Sequence, residues 1–134
     1  MQRETKVAIL WIVMMCGYAF HTLADIMPSF WQESIAVSDS GVAPQGMMAF
    51  IMVVSYFIPV CGIILSAIIK SRWAITVNFI LSILMLLFNA FHSLELLEFN
   101  PVQLPILPVI LIINIILCFI LWKGIKADQK VRAK

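Results

Sequence analysis

The chain of 134 residues is 63% hydrophobic and only 12% charged, and its formal net charge is +2. Soluble domains are about half apolar and about one quarter charged, and a chain this short cannot hide so much apolar surface in a water-facing globule. The composition therefore predicts a membrane protein and excludes an ordinary soluble domain. The small net charge gives no indication of nucleic-acid binding, so we expect no nucleic-acid partner.

Four stretches of the sequence are long and apolar enough to cross a bilayer, which takes about 20 residues. They cover residues 7–27, 47–69, 73–97 and 104–122. Residues 70–72 leave room only for a tight turn, so the second and third helices should be antiparallel neighbours. We therefore predict an all-α membrane protein in which residues 1–134 form one domain, a bundle of four transmembrane helices.

The basic residues predict the orientation of these helices. All nine Lys and Arg residues lie before the first stretch, between the second and third, or after the fourth. An even number of crossings places these three segments on one side. The other two connections carry Glu33, Asp39 and Glu98 and no basic residue. By the positive-inside rule we expect both termini in the cytoplasm and a multi-pass protein of the cell inner (plasma) membrane.

Several residues are expected to shape the helix contacts. Tryptophans near the predicted span ends should anchor the helices at the membrane interface, and asparagines within spans should hydrogen-bond between helices. Gly62 and Ser66, four residues apart, favour close helix packing, and Pro59 should kink the second span. The tryptophans are Trp11, Trp31, Trp73 and Trp122, and the asparagines are Asn78, Asn89 and Asn114.

The first and third stretches share a short motif. Residues 19–23 read AFHTL and residues 90–94 read AFHSL, and Met14 matches Met85 at the same offset. Because histidine is rare in membrane spans, this match predicts an internal repeat, a duplicated two-helix hairpin; chance similarity between apolar sequences is the alternative. Two such hairpins would pack about a pseudo-two-fold axis along the membrane normal, with their histidines at similar depth and facing that axis.

Each of these two helices also carries a carboxylate beside its histidine. His21 and Asp25 are four residues apart, and His92 and Glu95 are three apart. Both spacings place the two side chains on one helix face. Ionisable side chains within spans are costly and usually face protein or water. The four residues therefore form a candidate site near the outer leaflet.

Three chemistries suit this set of side chains. They could ligate a divalent metal such as zinc, iron or copper, hold a b-type haem between two histidines, or bind a proton or a small solute. The alternative is that all four are interfacial residues that reach headgroup water. The sequence has no phosphate-binding loop and no nucleophile elbow, so we expect a protein that is not an enzyme.

Two functional classes follow from these observations. The first is a small polytopic membrane protein that binds a metal, haem, proton or small solute at the histidine and carboxylate site. The second is a non-catalytic accessory or assembly subunit of a larger membrane complex. Four short helices shield few side chains from lipid. We therefore expect contacts with the bilayer and with further copies of the chain or a partner membrane subunit.

Overall fold

The computed structural model describes residues 1–32, 34–35, 42, 44–69, 71–94 and 102–132, and over these residues it is all-helical. Four helices are long and apolar enough to cross a membrane, as expected from the sequence. They cover Arg3–Trp31, Gln45–Ala67, Arg72–His92 and Leu107–Lys130.

The four long helices contain five α-helical elements. They are α1 (Arg3–Ile26), α2 (Gln45–Met52), α3 (Ile58–Ala67), α4 (Arg72–His92) and α5 (Leu107–Arg132). A short 3-10 helix (Met27–Trp31) follows α1, and a π-helical turn (Val53–Phe57) joins α2 to α3. Helix α5 continues well past Trp122 into the basic tail. Lysine and glutamine are good helix formers, and extending an existing helix is far easier than nucleating one.

The end of α4 and the start of α5 differ from the predicted span ends. Helix α4 ends at His92, whereas residues 95–101, including the candidate site residue Glu95, lie outside the described residues. Helix α5 begins at Leu107 and not at Leu104. Leu104 precedes Pro105, and a residue before proline disfavours the α conformation. The segment 102–106 therefore forms turns.

The long helices form a four-membered bundle with α1 and α4 on one diagonal. Helix α1 packs against α3 and α5, and α4 packs against the same two helices. Hydrogen bonds join Trp11 to Asn78 and Tyr18 to Asn89, so position along α1 rises with position along α4. The two diagonal helices are therefore parallel, and equivalent positions on them lie at similar heights in the bundle.

The inside and the outside of the bundle are both largely apolar. Trp11, Met14, Met85 and Leu117 are almost completely buried along the axis. Large apolar side chains also cover the outside, such as Phe91, which is 76% exposed. Soluble monomers rarely expose continuous apolar surface of this kind. The outer surface is therefore suited to hydrocarbon as its solvent.

Trp11 lies inside the bundle, so its expected role as an interfacial anchor is wrong. Its indole ring packs directly on Gly62, where the missing side chain leaves room for it. Its Nε1 donates a hydrogen bond of 2.8 Å to Asn78 Oδ1, and Asn78 Nδ2 donates one of 3.0 Å to the Gly62 carbonyl. The close packing predicted at Gly62 therefore involves a tryptophan. The other tryptophans, Trp31, Trp73 and Trp122, are exposed.

The second long helix departs from α-helical geometry just before Pro59. The N–H of Ile58 bonds to the carbonyl of Val53, which is the five-residue spacing of a π-helix. Proline has no N–H, so Pro59 cannot donate an α-helical hydrogen bond to the carbonyl of Ser55. The irregularity expected at Pro59 thus takes the form of a π-helical turn.

Candidate functional site

The buried face of α4 is polar along most of its length. Asn78, Ser82, Met85 and Asn89 are all buried, and His92 continues the same alternation of four- and three-residue steps. This spacing produces one stripe along a helix. Polar groups in hydrocarbon must find hydrogen-bond partners within the protein, so the stripe must be satisfied by neighbouring helices.

Asparagines supply many of these partners in the middle of the bundle. The Tyr18 hydroxyl donates to Asn89 Oδ1 at 2.6 Å, and Asn89 Nδ2 donates to Asn114 Oδ1 at 2.8 Å. Asn114 Nδ2 in turn donates to the Ser82 carbonyl at 3.1 Å. These bonds join α1, α4 and α5, which confirms that the asparagines hydrogen-bond between helices.

The two histidines meet at one end of the bundle, which we call the histidine end. The Nε2 atoms of His21 and His92 are 2.7 Å apart, and the ring centroids are 4.6 Å apart with the planes nearly perpendicular. Asp25 Oδ2 lies 3.5 Å from His21 Nε2. The structure therefore brings three of the four predicted site residues together. The fourth, Glu95, lies outside the described residues.

Gln103 completes this group, and sequence reasoning missed it. Its Oε1 lies 2.8 Å from His21 Nδ1, and its Nε2 donates to Asp25 Oδ1 at 2.5 Å and to the His21 carbonyl at 3.3 Å. Its side chain is buried because the turns before α5 fold it inward. A lone amide within an apolar, proline-containing segment beside a span is the signal that could have indicated it.

The hydrogen-bond partners fix the protons of the neutral site. Gln103 Nε2 faces two acceptors, so Gln103 Oε1 is the atom that accepts from His21 Nδ1. A neutral His21 that is protonated on Nδ1 has a free lone pair on Nε2. His92 Nε2 must then carry a hydrogen and donate it to His21. Donation therefore runs in one direction, from His92 through His21 and Gln103 to Asp25.

The surroundings leave the histidine pair with limited contact with the outside. The His21 side chain is 12% exposed, whereas that of Asp25 is 52% exposed. The ring of Phe88 stacks on His92 with centroids 5.5 Å apart, and Phe50 of α2 contacts Phe88 edge-on at 6.2 Å. Aromatic rings thus cover the α4 side of the histidine pair. Asp25, beside the pair, is the exposed residue of the site.

The geometry of the pair bears on the metal and haem alternatives. Among the residues that the structure describes, no group of three or more His, Cys, Asp and Glu side chains is placed to hold a metal ion. Two nitrogens on opposite sides of one metal would be about 4 Å apart, since each metal–nitrogen bond is about 2.0–2.1 Å long. The observed separation is 2.7 Å. A haem iron between the rings would require them to move apart.

Comparisons with known proteins identify no relative of this chain. No family model matches it, and neither the curated proteins nor the solved structures give a match.

Proposed function

We propose that this protein is a multi-pass membrane protein that binds one proton at the His21–His92 pair and is not an enzyme. The observation that carries the proposal is the 2.7 Å contact between the two Nε2 atoms. Histidine is the side chain that ordinarily changes charge near neutral pH, and ionisable groups within membrane helices commonly serve proton or solute pathways. Proton binding would then control the packing of the histidine end.

The pair is suited to one extra proton and not to two. With one added proton, on His92 Nδ1, the shared hydrogen can move from His92 Nε2 to His21 Nε2, and the carboxylate of Asp25 lies 3.5 Å from that atom to compensate the charge. With two added protons, both rings would present N–H groups to each other across the same short contact. The hydrogen bond would be lost and the two cations would repel each other.

In this proposal the site exchanges protons with water at the histidine end alone. The side chain of Asp25 is half exposed, so water reaches the histidine pair past Asp25. Between the pair and Asn78, the buried residues in the described part of the bundle include no His, Asp, Glu, Lys or Arg. Amides, hydroxyls and the apolar side chains of Met14 and Met85 fill this layer. The proposed role is therefore proton binding coupled to conformation, not open conduction.

We further propose that the bundle lies in the cell inner (plasma) membrane with both termini in the cytoplasm. Arg3 and Arg72 line one cavity together with Asp128 of α5, so the basic segments gather at the end opposite the histidines. We call this the basic end. The positive-inside rule then places the basic end at the cytoplasmic face and the histidine pair near the outer leaflet.

The contacts across the bundle also support the proposed duplication. Tyr18 and Asn89 are 71 residues apart and hydrogen-bonded, and His21 and His92 are 71 residues apart and in contact. A pseudo-two-fold axis between α1 and α4 brings equivalent residues together in this way. The two halves would be the hairpin of α1 to α3 and that of α4 and α5.

Nitrogen NMR of the full chain in lipid nanodiscs tests the proton site. The chain has two histidines, so only these rings contribute imidazole signals. We expect a neutral His21 protonated on Nδ1, a coupling across the N–H···N bond, and uptake of one proton before the coupling disappears. His21→Ala and His92→Ala should each abolish the coupling. Two independent protonation steps without coupling would refute the proposal, as would a bound metal or haem that either variant removes.

The accessory-subunit alternative is favoured by one different observation. None of the eight residues of α2 is buried in the bundle, so most of the surface of this helix is open to lipid or to a partner membrane protein. An accessory role predicts that the chain co-purifies with a larger complex in mild detergent. Replacement of Met52, which is 58% exposed, by Ala should then weaken the complex.

A further inference from the structure

A large cavity opens at the basic end, away from the histidines. Its volume is about 800 Å³, and α1, α3, α4 and α5 all contribute to its walls. Cavities of roughly 300–1,000 Å³ are typical of sites for small molecules. The cavity is therefore large enough for a ligand, and its lining residues indicate which chemistry that ligand should have.

Hydrogen-bond donors gather where α4 begins. Ser71 is the N-cap of α4, yet its side chain makes no capping hydrogen bond, and its buried Oγ has no partner in the described part of the chain. Arg72 forms no ion pair with any side chain that the structure describes. Both residues line the cavity. The first N–H groups of a helix also attract anions, so this wall presents donors and positive charge.

The acidic residues of the cavity pair with Arg3, which lines the same cavity. Arg3 contacts the carboxylates of Glu4 at 3.1 Å and of Asp128 at 4.0 Å. Both carboxylates therefore pair with Arg3, and among the described side chains Arg72 is a cavity cation that pairs with none. Because Arg72 is the first residue of α4, an anion bound there would contact the helix terminus and the guanidinium together.

Part of the cavity wall is apolar. Val7, Leu65, Ile75 and Leu121 line it, each from a different helix. A ligand that fills the whole space should therefore combine an anionic group with an apolar portion. Arginine binds phosphate through paired hydrogen bonds, and a phosphate at the cytoplasmic face occurs on lipid headgroups as well as on soluble esters.

We propose that Ser71, Arg72 and the first turn of α4 form a phosphate-binding site, and that the apolar wall holds the remainder of the ligand. The phosphate belongs either to a phospholipid of the inner leaflet or to a soluble phosphate ester. The site is independent of the histidine pair, so His21→Ala should leave phosphate binding unchanged even where it abolishes proton binding.

Native mass spectrometry of the full chain in mild detergent tests this site with three probes. Phosphatidylglycerol supplies phosphate and acyl chains, glycerol 3-phosphate supplies phosphate alone, and diacylglycerol supplies acyl chains alone. We expect Arg72→Gln to weaken binding of phosphatidylglycerol, of glycerol 3-phosphate, or of both, by at least about tenfold, and Ser71→Ala by about threefold. The probe that binds identifies the source of the phosphate.

Lys126→Gln is the matched control, because it removes one positive charge from α5 without changing the cavity. Its Nζ lies over the Trp122 ring at 4.1 Å, and it does not line the cavity. Arg72→Lys keeps the charge and should lose only part of the affinity, which separates specific binding from a folding defect. Failure of both phosphate probes to bind, equal binding of diacylglycerol, or an equal loss in Lys126→Gln would overturn the proposal.

Discussion

The Tyr18 hydroxyl donates a hydrogen bond of 2.6 Å to Asn89 Oδ1 across the diagonal of the bundle. Helices α1 and α4 share few other contacts, since each packs mainly on α3 and α5. Side chains that reach across the axis therefore link the two diagonal helices. The Trp11–Asn78 bond is another such link. The histidine pair is a further one, one turn nearer the end of the bundle.

The Tyr18–Asn89 bond predicts a measurable coupling in stability. Asn89→Leu removes the acceptor of the Tyr18 hydroxyl and the donor to Asn114 Oδ1, so we expect a loss of about 1–2 kcal/mol in the free energy of unfolding. Tyr18→Phe removes the hydroxyl alone and should cost less. Unfolding in detergent of both variants and the double variant measures the coupling. Strictly additive losses would contradict the proposed bond.

Gly62 should tolerate no side chain because Trp11 occupies the space. An added Cβ would lie 2.2 Å from the nearest atom of the indole ring, so the ring or a helix must move. We expect Gly62→Ala to lower the free energy of unfolding by about 1–3 kcal/mol, which is the usual cost of overpacking. Gly46→Ala is the control, since nothing lies within 4 Å of its Cβ position. Equal stability of the two variants would show that Trp11 does not pack as described.

Gln103 should determine which nitrogen of His21 carries the proton. Gln103→Leu removes the acceptor for Nδ1–H, so we expect a larger fraction of neutral His21 to be protonated on Nε2. Gln103→Glu keeps an acceptor and should retain the Nδ1–H form. Nitrogen chemical shifts of His21 report the two forms directly. Gln129→Leu serves as the control, because Gln129 lies at the basic end. An unchanged His21 spectrum in Gln103→Leu would contradict the proposed role of Gln103.

Thiol labelling should locate the two ends of the bundle on opposite sides of the membrane. In a variant with Cys16, Cys61 and Cys118 replaced by Ala, we expect Lys126→Cys to react with an impermeant reagent only after the membrane is opened. Ser34→Cys should react in intact cells. The reverse pattern would invert the proposed orientation, and labelling of both sites from one side would rule out four crossings.

The sequence predicted the number of long helices because apolar length reports directly on the solvent of each segment. It located their ends less well. The basic tail after Trp122 is helical because its residues favour helix once α5 has formed. Trp11 was expected at the membrane interface because its position near a span end was the only cue. The space above Gly62, which accommodates it, exists only when α1 and α3 pack together.

The candidate site, like the helix bounds, could be predicted from the sequence only in part. Periodicity alone indicated that His21 and Asp25 share one helix face, because the helix repeat relates residues within one element. It did not indicate Gln103, which reaches the site only through the folding of the turns before α5. Helix packing also decided that the imidazoles meet at 2.7 Å. Differences of about 1 Å between two helices separate a hydrogen bond from a metal site, and no spacing within one segment specifies them.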